Sequence, residues 1–102
     1  MYIYNVTINV RESIHDEWLN WMKETHIPAM LDTGKFTKAL MSKVMVEEPM
    51  GGITYSVQYT LENKNELERY YKNDAEGLRK GSKQFGDKAL AFRTEMQVID
   101  EQ

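Results

Sequence analysis

Ile53-Thr54-Tyr55-Ser56-Val57-Gln58-Tyr59-Thr60-Leu61 decides the fold. Ile53, Tyr55, Val57, Tyr59 and Leu61 fall on one side and Thr54, Ser56, Gln58 and Thr60 on the other. That strict alternation is the signature of a strand with one dry face and one polar face. Just before it, Glu47-Glu48-Pro49-Met50-Gly51-Gly52 is turn chemistry. Before the turn, Phe36 to Val46 reads as a second, less regular strand. Leu40, Val44 and Val46 share one side of it with Lys38 and Ser42, and Met41 and Met45 share the other with Thr37, Ala39 and Lys43. Two strands joined by a short turn make a hairpin, so a sheet exists and the other elements must be fitted around it.

Downstream, Asn63 with Glu66 three residues later forms a helix N-cap pair. Leu67, Tyr70, Tyr71, Ala75 and Leu78 then recur at helical spacing. Gly77 and Gly81 weaken that helix, which is expected to bend or break before Phe85 and Gly86. Ala89 to Ile99 is the last strand, with Leu90, Phe92, Thr94, Met96 and Val98 alternating against Ala91, Arg93, Glu95 and Gln97. Upstream, Tyr2 to Val10 alternates as cleanly as the central strand, with Tyr4, Val6, Ile8 and Val10 opposite Asn5, Thr7 and Asn9. Ser13, followed by Asp16, is the expected cap of a helix carrying Ile14, Trp18, Trp21, Met22 and Thr25. Pro28 disfavours helical geometry at Ile27, so a kink or restart is expected there, with Pro28 in a first turn. Gly34 suits the left-handed residue that closes the helix.

The order strand, helix, strand, strand, helix, strand predicts an α+β, ferredoxin-like βαββαβ split sandwich. Right-handed crossovers place both helices on one face of a four-stranded antiparallel sheet. One domain, residues 1–102, uses the whole chain. By strand parity, Tyr4, Val6, Ile8, Val57, Tyr59 and Phe92 are expected beneath a helix stripe carrying Trp18, Trp21, Leu67 and Tyr71. The uncovered face then collects Asn5, Thr7, Asn9, Thr54, Ser56, Gln58, Arg93, Glu95 and Gln97, with Ala39, Met41 and Met45 from the second strand. Such a face is too uncharged for full solvation and too polar for a dry interface. It fits a polar seam between two copies, a ligand cavity, or an open wet surface. Two sheets packed this way would pair as a dimeric α/β barrel.

Composition narrows the function. The chain has 102 residues, 13 Lys+Arg, 16 Asp+Glu, a net charge of −3 and no Cys. Zero Cys excludes disulfides, thiolate metal sites and Cys nucleophiles. An acidic chain argues against broad nucleic-acid binding. No apolar run reaches the ~20 residues that span a bilayer, and the alternating N-terminus does not read as a signal peptide. The expected setting is cytoplasmic.

Within that frame, Glu17-Trp18-Leu19-Asn20-Trp21-Met22-Lys23-Glu24-Thr25-His26-Ile27-Pro28-Ala29-Met30-Leu31 with Thr33-Gly34-Lys35-Phe36 resembles an uncharacterised bacterial family of short proteins with a domain of unknown function. Gly52 to Tyr59, Ala91-Phe92-Arg93-Thr94 and Tyr4-Asn5-Val6-Thr7 are similar to it as well, so the resemblance spans nearly the whole chain. It implies a dimeric α+β barrel, the fold shared with antibiotic-biosynthesis monooxygenases, and no particular activity. The Asn, Trp and His set expected of haem-degrading relatives is missing, and no cofactor is implied.

His26 is the sharpest candidate. Trp18, Met22 and His26 are spaced four apart, which sets His26 on or beside the core stripe, just before Pro28. It is read either as a ligand-binding or proton-moving group or as a core His held by a backbone carbonyl. His15, in a first helical turn, is expected in solvent. Two His so far apart make no metal motif. Arg93 and Glu95 are read as a salt bridge or, alternatively, Arg93 anchors a ligand carboxylate or phosphate with Asn5, Ser56 and Gln58 orienting it. The function expected is therefore binding of a small polar or aromatic metabolite between the sheet and the helix-end mouth, in a homodimer. The competing reading is a module that only self-associates. RNA recognition is disfavoured, because base-stacking modules carry aromatics on the open sheet face, where parity here places Thr, Ser and Gln. No catalytic signature is present.

Overall fold

The computed structural model describes residues 1–102. Four strands form one antiparallel sheet in the order β2-β3-β1-β4, with β1 at Tyr2–Val10, β2 at Lys38–Lys43, β3 at Ile53–Leu61 and β4 at Ala89–Gln97. Each crossover passes over one strand, so both helical layers lie on the same side. β1 and β3 have the predicted bounds, and β2 and β4 are shorter than their sequence patterns. The fold is the ferredoxin-like α+β arrangement. No helix is long and apolar enough to cross a membrane.

The first helical layer does not begin on a Ser13 cap. A 3-10 turn at Glu12–Ile14 leads into α1, His15–Trp21, and no side chain caps either start. Five residues of π-helix, Met22–His26, then join α1 to α2, Ile27–Asp32. The cause is Pro28, in the first turn of α2. It has no N–H to donate backwards, and its ring crowds the carbonyl four residues earlier. Widening the preceding turn relieves both problems without a sharp break. Gly34, at φ 78, closes the layer as the sequence suggests.

The second layer starts as expected, with the Asn63 side chain accepting from the Glu66 backbone N–H at 3.0 Å. Its break falls earlier than the glycines suggest. Asp74 separates α3, Lys64–Asn73, from α4, Ala75–Ser82, and a 3-10 stretch over Lys83–Lys88 follows, with Gly86 at φ 57. Gly81 has another purpose: a β-carbon there would lie 3.3 Å from the Trp21 ring. The missing side chain lets the two helical layers close on each other. Gly52 is needed for both reasons at once, since its φ is +82 and a β-carbon would meet the Val10 carbonyl at 2.9 Å.

Tyr4, Trp18, Met22, Met30, Val57, Tyr59, Leu61, Leu67 and Tyr70 are almost fully buried and form the core between the sheet and the helices. Residues opposed across an antiparallel pair share a face, so the register decides which side of each strand goes inward. For β1 and β3 the decision agrees with parity. For the two edge strands it does not. In β2, Ala39 and Met41 oppose Tyr59 and Val57, on the helix side, while Leu40 and Ser42 oppose Gln58 and Ser56. In β4, Arg93 opposes Val6 and Glu95 opposes Tyr4, whereas Phe92 opposes Thr7 and Leu90 opposes Asn9. Arg93 and Glu95 therefore lie on the helix side of the sheet, not on the open face where they were expected. Phe92 lies on the open face, not in the core. The physical reason is that β4 is an edge strand the helices barely cover, exposed along most of its length. Burial does not choose its greasier side.

Candidate functional site

A cavity of about 60 Å³ opens between the helices and the inner side of β1 and β4. Eleven of its fifteen lining residues are hydrophobic. Its polar members include His26 from the end of the π-helix, Arg79 from α4 and Arg93 from β4.

The π-helix positions His26. Its ring stacks on Trp21, with centroids 4.6 Å apart and planes at 22°. No side-chain hydrogen bond to a backbone carbonyl holds it, contrary to the structural alternative considered from the sequence. Trp21 is in turn set by an edge contact with the buried Phe85 ring at 5.3 Å. Burial, and secondarily the positive charge of Arg93, lower the His26 pKa to about 4. At neutral pH the imidazole is uncharged, so it can donate and accept.

Arg79 reaches the cavity through a tyrosine cluster. Its Nη2 donates to the Tyr4 Oη at 3.1 Å, and its guanidinium carbon stands 6.0 Å from the centre of the Tyr71 ring. The Arg79 Nε–H is buried and has no acceptor in the protein. Tyr71 donates to the Glu95 carboxylate at 2.6 Å. Burial, aided by that bond, raises the Tyr71 pKa, so the phenol keeps its proton. Glu95 thus bonds a tyrosine and makes no salt bridge with Arg93.

The candidates from the sequence are divided by the sheet. His26 and Arg93 line the cavity, and Glu95 lies along β4 on the same side. Asn5, Ser56 and Gln58 lie on the opposite face, where Ser56 Oγ donates to Asn5 Oδ1 at 2.7 Å and Asn5 Nδ2 donates to Thr7 Oγ1 at 3.0 Å. Those two sets cannot touch one ligand within a single chain. Sequence reasoning missed Arg79 as a site residue, and it places Tyr4, Trp21 and Tyr71 only in the greasy layer between the sheet and the helices. Nothing in the periodicity around Arg79 marks it, because its place is set by the break at Asp74 and the contact at Gly81.

His15 is also not where the sequence suggested. It is half-buried, with Nε2 2.7 Å from Tyr55 Oη and Nδ1 2.9 Å from Asp16 Oδ1. It ties the start of α1 to the central sheet. No three or more His, Asp or Glu side chains gather in a way that could hold a metal ion.

The sequence model of a domain of unknown function (DUF4286) matches residues 1–99. The chain belongs to this family. No curated protein matches it. Among solved structures, the fold is similar to an ethyl tert-butyl ether d (ethd) family protein of Bacillus halodurans, with a TM-score of 0.73 at 14% identity over 97% of this chain and 100% of that one. A dimeric ferredoxin-like protein from an uncultured marine organism superposes at 0.72 with 14% identity, covering 98% of this chain and 96% of that chain. A candidate antibiotic biosynthesis monooxygenase from Deinococcus radiodurans superposes at 0.71 with 10% identity, over 99% and 95% of the two chains. At these identities the likeness is one of fold, as the resemblance noted from the sequence implies, and it assigns no activity.

Proposed function

We propose that this DUF4286 chain is a small-molecule binding protein whose site is the cavity ringed by Trp21, His26, Arg79 and Arg93, and that it works as a homodimer. The single observation that supports the binding reading is the buried, unpartnered Arg79 Nε–H beside an apolar cavity. Buried donors are nearly always satisfied, and a polar group held dry at the wall of a hollow suits a ligand. The closed part is small: an engineered cavity that takes benzene measures about 150 Å³. A ligand would insert one group and rest the remainder at the mouth, against Ala91 and Arg93 on the exposed side of β4. In a thermal-shift screen of small planar metabolites, at least one class should raise the melting temperature of the wild type. Ala91→Trp, which plugs the mouth, should remove that rise. A screen without any reproducible stabilisation would sink the binding reading.

A separate observation supports pairing. The open sheet face has polar centres, Asn5, Thr7, Ser56 and Gln58, flanked on the two edge strands by Leu40, Leu90 and Phe92, which are 59%, 48% and 68% exposed. Large apolar side chains on both rims of one sheet face mark an interface, and two of the structural neighbours are described as dimeric. The partner argued for is a second copy, sheet against sheet. Light scattering should give the mass of two chains for the wild type and of one chain for the double variant L40K/F92K. A wild type that runs at the mass of one chain would refute it. Within this reading, self-association without a ligand is the outcome left if only the second experiment succeeds.

A further inference from the structure

We propose that the cavity beneath the helices takes the carboxylate of a small organic acid, with Arg79 holding it inside and Arg93 at the mouth. The inference rests on the cavity being a binding site, and adds the charge class of what enters. The charge balance of the cavity carries it. The ion pairs of the chain are Lys35–Asp74 and Arg69–Glu66, with His15 in hydrogen-bond contact with Asp16, and neither Arg79 nor Arg93 is among them. Glu95, two residues along β4 from Arg93 and on the same side, is occupied by the Tyr71 hydroxyl. Two guanidinium groups therefore line one hollow with no carboxylate in ion-pair contact with either, and one of them keeps a buried N–H free. A buried guanidinium N–H without an acceptor, as in Arg79, is costly, and Arg93 stands exposed at the mouth. An anion would satisfy both, because an arginine fork matches a carboxylate with two parallel hydrogen bonds.

The remaining walls choose among anions. Tyr4, Val6, Ile8 and Trp21 are apolar surface next to the charge. That suits a monoanion with a flat or apolar body better than inorganic phosphate, whose oxygens would be turned toward hydrocarbon. The neutral His26 ring, clamped by Trp21, adds no competing charge and can share one hydrogen bond with a carboxylate oxygen.

The probes are benzoate, benzamide and inorganic phosphate, titrated separately while the Trp21 and His26 ring signals are followed by NMR. Benzoate should shift both saturably and bind about tenfold or more tightly than its neutral analogue, the usual scale for one charge-assisted hydrogen bond. Phosphate should leave both signals in place. Arg93→Gln should remove most of the benzoate preference, and so should Arg79→Met. Arg79 also supports Tyr4, so Arg79→Met risks misfolding; Arg93 is on an exposed edge strand and keeps the test decisive. Equal binding of benzoate and benzamide would overturn the charge assignment and leave the cavity as a site. Phosphate binding as tightly as benzoate would overturn the choice of carboxylate. Unchanged benzoate affinity in Arg93→Gln would overturn the role of that residue and with it the proposal. No response to either ring compound would remove both this inference and the binding reading.

Discussion

Trp18→Ala should destabilise the folded chain by about 3–5 kcal/mol, the range for removing a large aromatic from a closed core. Trp18 is 2% exposed, and its ring lies 5.3 Å from that of Tyr55. It is the one large side chain of α1 that is fully enclosed between that helix and the central strands. The loss is therefore transfer energy plus a cavity that its neighbours can only partly fill. Tyr55 also holds the His15 ring, so the damage should spread to the start of α1. Against a total stability of about 5–15 kcal/mol for a domain, such a loss brings the variant close to unfolding at 37 °C. Urea denaturation of wild type and variant measures it directly. A loss under about 1.5 kcal/mol would mean that Trp18 is not the centre of the packing described above.

The second large effect is on acid stability. His26 has its pKa lowered to about 4 from the ordinary value of 6.5, first by burial and then by Arg93. Between those two values the unfolded chain binds a proton that the folded chain does not. Stability therefore rises with pH across this window and is fully present above about 6.5. As pH falls from 7.5 to 5, His26 alone should remove about 2 kcal/mol of folding stability. The groups around it point the same way: Arg93 from β4 and Arg79 from α4 line the same hollow, and Trp21 from α1 lies flat on the ring. His26→Gln removes this proton linkage while leaving every carboxylate of the chain in place. The difference between the two stability–pH curves isolates His26. Parallel curves for wild type and His26→Gln between pH 5 and 7.5 would show that the imidazole is not held neutral by the fold.

The two predictions differ in how far each was legible beforehand. Trp18 could be read from helical spacing, because α1 has one face to bury and its two tryptophans, Trp18 and Trp21, both belong to that stripe. The position of His26 near the break at Pro28 was equally legible, but its chemistry was not. The neutral imidazole depends first on burial beneath the helices and then on Arg93, and parity set Arg93 on the other side of the sheet. The misreading of β4 has a plain cause. Alternation shows that Leu90, Phe92, Thr94 and Met96 share a side, but it carries no direction, and on an edge strand the more apolar side need not face the core. Here it faces outward, where we propose a second chain to cover it. Arg79 lay outside sequence reasoning for a related reason. It reaches the cavity only because the helix breaks at Asp74 and Gly81 lets α4 approach Trp21.

Local patterns by themselves determined the element order, the bounds of β1 and β3, the cap at Asn63, the disturbance before Pro28 and the left-handed close at Gly34. Each depends on residues a few positions apart, through backbone sterics and the periodicity of burial. Only tertiary structure decided which side of β2 and β4 faces the helices, and so which charges share the cavity. Those choices are made by register against β1 and β3, where a shift of one residue inverts a whole strand. No short-range signal in the edge strands carries that information.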